Sequence, residues 1–172
     1  VVDYYGYSLF GLYNGTYTTA FCEVVEGNDG NIYIHNMLTE FPGDPGYWVK
    51  AEPVNAAVGT YVIHEQPIYY DESYDEYYYI GKMTLKTASS TFVKATNTDI
   101  NLTSKNNTLT VTNAKLGALS WNVIGAFRAD GSWTGCCNWN ASMVEQTDKV
   151  VTPPFGTQTI DMVISYDQAN PI

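Results

Sequence analysis

Apolar and polar residues alternate with a period of two along much of the chain. Thr108-Leu109-Thr110-Val111-Thr112 alternates strictly, as a half-buried strand should. Ile100 and Leu102 do the same just upstream, and Ser104-Lys105-Asn106-Asn107 supplies the turn between the two. Phe21-Cys22-Glu23-Val24-Val25 and Ile32-Tyr33-Ile34 flank Gly27-Asn28-Asp29-Gly30. Asp-Gly tolerates the positive φ of a tight hairpin, so these segments form one. Ala129-Asp130-Gly131 joins residues 121–128 to residues 132–139 by the same logic, and residues 54–59 turn residues 47–50 back into residues 60–66. No window shows helical periodicity. Pro42, Gly43, Pro45 and Gly46 make residues 37–46 an ordered loop. Thr152-Pro153-Pro154-Phe155-Gly156 reads as a linker or sharp corner before a last strand near residues 159–166.

Composition narrows the picture. A chain of 172 residues is one domain with room for a core: a main body over 1–148, then a linker and last strand over 149–172. Only 15% of residues are charged, and Thr, Asn, Ser, Gly and 15 Tyr carry the polarity instead. That profile fits secreted and surface β proteins. A formal charge of −10 with 8 basic residues argues against a phosphate-binding face, so nucleic acid is not an expected partner. No apolar run is long enough to span a bilayer as a helix. The chain begins with Val, which fits an exported, extracellular or cell-surface protein whose leader is absent from this sequence.

The segment Asp29-Gly30-Asn31-Ile32-Tyr33-Ile34, a loop holding Pro42 and Pro45, and then Trp48-Val49-Lys50 together resemble a recurring pattern. It is similar to uncharacterised small all-β domains of surface proteins and lipoprotein anchored proteins from gut anaerobic bacteria. The likeness covers about residues 16 to 82 and departs at Ala51, where that family usually has Gly. It implies a surface location and a barrel-like or sandwich fold, and it carries no catalytic residue. The expected fold is all-β and antiparallel: a calycin- or streptavidin-like β-barrel or a β-sandwich, in a single domain. Trp48 is expected as a core anchor, with Lys50 on its face.

Candidate chemistry centres on the run Tyr69 to Tyr79, where tyrosines flank a compact acidic segment. Residues 71–76 are expected at a hairpin tip, with Tyr69, Tyr70, Tyr74, Tyr77, Tyr78 and Tyr79 as a candidate ligand-binding surface. Exposed aromatic rings stack on sugars while carboxylates accept hydroxyl hydrogen bonds. Trp133 and Trp139, near the Asn138 and Asn140 amides, form a second candidate platform. Asp71, Glu72, Asp75 and Glu76 offer hard oxygens suited to calcium as a cofactor but lack the D-x-D-x-D-G frame. Cross-strand aromatic packing that merely stabilises the sheet explains the same tyrosines.

Three cysteines remain. Cys22 and Cys137 are expected on apolar faces, where they either form a disulfide or stay reduced as small core residues. His35 and His64 read as satisfied strand histidines. Motifs for nucleophilic, zinc, phosphate or dinucleotide chemistry are missing. The leading expectation is therefore a non-catalytic surface module binding a glycan or a surface protein. Its alternatives are a structural or adhesion domain, and then a glycoside-active enzyme.

Overall fold

The computed structural model describes residues 2–14, 17–38, 46–86, 91–112, 123–139, 141–146 and 159–160. Expectations on residues 39–45, 140, 152–156 and 161–166 lie outside the described residues. Strands dominate, as the alternation predicts. They are β1 (Val2–Asn14), β2 (Tyr17–Gly27), β3 (Ile32–His35), β4 (Trp48–Asn55), β5 (Thr60–Ile63), β6 (Gln66–Asp71) and β7 (Glu76–Lys86). Then follow β8 (Thr91–Lys94), β9 (Ile100–Lys105), β10 (Thr108–Val111), β11 (Val123–Arg128), β12 (Trp133–Trp139), β13 (Ser142–Glu145) and β14 (Thr159–Ile160).

Eight of these strands form a closed antiparallel barrel in the order β1-β2-β3-β4-β5-β9-β10-β13, with β13 returning to pair β1. The closing register sets Phe10 opposite Glu145 and Tyr13 opposite Ser142. β14 adds to the other end of β1, at Val2 and Asp3. Alternate residues point inward and fill the barrel, among them Val24, Ile34, Val49, Ile63, Leu102 and Met143.

The remaining strands leave the barrel at one end. Ile63 and Ile100 are paired across β5 and β9, so residues 64–99 depart and return at the same rung. The amide of Val111 donates to the carbonyl of Ala141 at 3.3 Å, so the second excursion also closes on itself. These excursions supply a second sheet in the order β12-β11-β7-β6, with β8 on β7. One face of it, through Ile68, Tyr78, Ile80, Ile124 and Ala126, joins the barrel's own core and caps that end. The other face carries a small second core of Met83, Val123 and Phe127 under Phe92, Trp133 and Cys137.

Where β5 has left, β4 keeps a partner. The Lys50 amide donates to Gln66 Oε1 at 2.8 Å, and Gln66 Nε2 donates to the Lys50 carbonyl at 2.9 Å. The buried Gln66 side chain thus stands in for a strand backbone, as a buried amide requires. Likewise the fully buried Asn138 donates from Nδ2 to the Met37 carbonyl, tying the cap to the chain after β3.

Turn chemistry follows the expected sites. Lys105 pairs Thr108 around Asn106 and Asn107, whose φ values of 50° and 58° make the two-residue turn that asparagine tolerates. Residues 54–59 are shorter as a turn than expected: β4 runs on to Asn55, and one 3-10 turn, Ala56–Val58, makes the reversal. At the β2–β3 turn Asp29 accepts from the Asn31 amide, the Asn31 side chain and the Tyr33 hydroxyl. Slight burial would raise the Asp29 pKa, but these donors outweigh it and hold it below its ordinary 3.8. Burial, followed by the bond to Asp29, pushes Tyr33 up to about 12.

Trp48 departs from expectation. It lies half-buried outside the barrel core and stacks on His35, with ring centroids 4.7 Å apart. The alternation gives the inward positions of β4 to Val49 and Ala51 instead. Lys50 does share the Trp48 side of the strand, where it pairs with Glu52 at 2.5 Å.

Two outcomes test this architecture. Ile34→Ala should lose about 2–5 kcal/mol in denaturant unfolding, whereas Val54→Ala, at an exposed position, should change stability by less than about 0.5 kcal/mol. A carboxyl held below its ordinary pKa stabilises the fold above that pKa, and the gain is lost as pH falls through the folded value. Asp29→Asn should therefore be less stable than the parent at neutral pH, and the gap should close as pH drops below 3.8.

Candidate functional site

The expected hairpin is present. Strands β6 and β7 pair with Asp71 opposite Glu76, Tyr70 opposite Tyr77 and Tyr69 opposite Tyr78. A bulge at Ile68 shifts the register between Pro67 and Tyr69. The turn residues Glu72, Ser73, Tyr74 and Asp75 are exposed, and Asp75 takes a positive φ of 53°.

The tyrosines divide between two faces. Tyr69 and Tyr78 lie on the side that joins the main core, with centroids 5.8 Å apart, and Tyr78 is buried. They serve packing. Tyr70 and Tyr77 form the opposite pair, with centroids 4.9 Å apart and planes inclined at 58°. Both are half-exposed, as is Tyr79, which shares the Tyr77 side and sits opposite Phe127. Tyr74 is the most open, 71% exposed at the tip. The Tyr70 hydroxyl donates to Asp75.

Each inner carboxylate has structural work. Asp71 accepts from the Ser73 amide at 2.9 Å and from the Tyr78 hydroxyl at 2.9 Å. Burial and then that bond raise the Tyr78 pKa. Glu76 accepts from Arg128 Nε at 3.0 Å, and the guanidinium also lies over the Tyr78 ring, 5.6 Å from its centroid. Glu72 points out at the turn. Among the described residues no three His, Cys, Asp or Glu side chains gather as a metal site, so Asp71, Glu72, Asp75 and Glu76 are not brought together as calcium ligands.

Of the second candidate platform the structure describes the side chains of Trp133 and Asn138, and both are engaged within the fold. Trp133 is half-buried against Phe92, edge to face at 5.1 Å, and its Nε1 donates to the Cys136 carbonyl. It covers the small second core. Trp139 pairs Val123 through its backbone. Asn138, expected beside a ligand, is fully buried.

The cysteines need a correction. Cys137 packs with Trp133 in the second core, while Cys136 packs against the main core that holds Cys22. All three are thiols. Strand alternation separates the vicinal pair as expected, but the cap presents the Cys136 side to the barrel. Burial, reinforced by Glu23, pushes the Cys22 thiol up to about 12. The histidines are satisfied: His35 Nδ1 lies 2.8 Å from Glu23 and His64 Nδ1 lies 2.9 Å from Asp99.

Two groups escaped the sequence reading. Arg128, the cation of the hairpin, was hidden because its partner is 52 residues away. The open end of the barrel also holds a cavity, with Glu26 and Glu145 among its lining. Its signal was available, since Cys22-Val24-Glu26 keeps one parity along a strand and ends an apolar face on a charge. Comparison of the chain with protein-family profiles, with characterised proteins and with solved structures finds no match.

Two measurements test these contacts. Arg128→Ala should lose about 1 kcal/mol in urea unfolding through its ion pair and ring contact, and a cycle with Glu76→Ala should give a coupling of about 0.2–1 kcal/mol. Iodoacetamide at pH 8 should leave Cys22 unmodified in the folded protein and modify it after denaturation, read by peptide mass.

Proposed function

We propose that this chain is a non-catalytic binding module of a bacterial cell surface, and that it holds glycans on the Tyr70–Tyr77 side of the β6–β7 hairpin. The observation that carries the reading is the sorting of the tyrosines. One pair is spent on the core, and the other is half-exposed beside Asp75 and below the open Tyr74. Sugar C–H faces stack on such rings. A carboxylate accepts more than one hydrogen bond, so Asp75 can take a sugar hydroxyl as well as that of Tyr70. The low charge and high tyrosine content fit a surface setting, and so does the likeness of residues 16 to 82 to surface domains. Rigid presentation by a paired hairpin keeps the loss of side-chain freedom on binding small.

A glycan array, run with calcium and again with chelator, tests the proposal. The intact chain should bind at least one glycan class equally in both conditions. Tyr77→Ala should weaken that binding about tenfold or more, equivalent to about 1.4 kcal/mol, while Val58→Ala, exposed and away from the hairpin, should not. An array with no bound glycan would remove the reading.

A further inference from the structure

The barrel has two different ends. The cap sheet closes one. Among the described residues the other opens on a cavity of about 240 Å³ that the glycan reading does not use. Its apolar lining comes from Phe10, Val24, Ile32 and Leu109, one residue from each of four strands. Tyr61 adds an aromatic ring, half-exposed. Two carboxylates complete it, Glu26 on β2 and Glu145 on β13. Ser8 Oγ donates to Glu145 Oε1 at 2.9 Å and so fixes one of them.

Charge among the described residues of this cavity has one sign: its other described lining residues are Ser8, Ser104 and Asn107, and none of these is basic. Lys105 follows Ser104 on the same strand, so its side chain projects to the opposite face. The whole molecule carries −10, which raises the local concentration of cations. Size is informative too. A dry cavity of roughly 150 Å³ holds a benzene ring. A cavity of about 240 Å³ has room for one ring and a short arm.

We propose that the open end of the barrel is a binding site for a small amphipathic ammonium compound, an aromatic or branched apolar group bearing a primary amine on a short arm. The apolar group rests against Phe10, Val24, Ile32 and Leu109. The ammonium lies between Glu26 and Glu145 and against the face of Tyr61, where a carboxylate pair and a cation–π contact act together. A neutral ligand of the same shape gains only the apolar contact. An anionic one meets two like charges. The site is separate from the tyrosine hairpin, because among the described residues no cavity-lining residue belongs to β6 or β7.

Calorimetric titration of the full chain with 2-phenylethylamine, 2-phenylethanol and phenylacetate decides the matter. The amine should bind saturably at one site per chain. The alcohol should bind at least tenfold more weakly, and phenylacetate more weakly still. Added salt should weaken the amine alone. The double variant Glu26→Gln with Glu145→Gln, near in shape to the parent, should bind amine and alcohol alike, with folding checked by its thermal melt. Tyr77→Ala should leave amine binding unchanged. No saturable amine binding overturns the proposal, as does equal affinity for the alcohol in the parent chain. Unaltered amine binding in the folded double variant, or its loss in Tyr77→Ala, overturns it too. If the double variant does not fold, the three-ligand comparison on the parent chain decides alone.

Discussion

The pairing of β13 with β1 is the constraint on which everything else rests. Phe10 meets Glu145 and Tyr13 meets Ser142 across that seam. Without it the large sheet would have two edges, each a row of unpaired backbone groups open to another chain. Closure abolishes both at once. It also fixes which residues face inward, because one step of register would turn every side chain over. The seam joins distant parts of the chain: Ser8 and Glu145, bonded across it, are 137 residues apart. Such non-local closure makes a slow folder, since loop entropy must be lost before the last pairing forms.

Seen from the seam, the topology is simple. The barrel is a meander in which each strand neighbours the next barrel strand in sequence. Two of its connections are long, and both leave from the same end. Their hairpins meet as a second sheet because each has an apolar face that must be buried. The main core runs unbroken from Leu102 and Met143 inside the barrel to Ile80 and Ala126 in the cap. The position of the tyrosine hairpin follows from this. One side is committed to that core, and its other side is turned away.

Legibility in the sequence tracked locality. The turns at Asp29-Gly30, Asn106-Asn107 and Asp130-Gly131 were readable, because turn chemistry needs only neighbours. The all-β class and the hairpin were readable for the same reason, although its expected tip of residues 71–76 narrows to 72–75 because Asp71 and Glu76 pair. What failed needed knowledge of the opposite surface. The alternation around Cys136 and Cys137 was right, but nothing local says which side of β12 meets the barrel. Trp48 is apolar and sits on a strand, yet its strand gave the inward positions to Val49 and Ala51. Trp133 read as a platform because its cover, Phe92, comes from a strand 41 residues earlier that pairs β7 and not β12. Choice between barrel and sandwich waited on the β1–β13 seam, the least local pairing of all.

The exchange of a strand for the side chain of Gln66 has a thermodynamic consequence. Gln66 belongs to the cap, yet it completes the hydrogen bonding of Lys50 in the barrel. Asn138 does the same for Met37 from the other excursion. A barrel without its cap would lose the partners of the Lys50 amide and of the Lys50 and Met37 carbonyls, and a cap without the barrel would expose the face that carries Ile68, Ile80, Ile124 and Ala126. Two amide side chains therefore couple the layers, because the loss of either layer takes hydrogen-bond partners from the other.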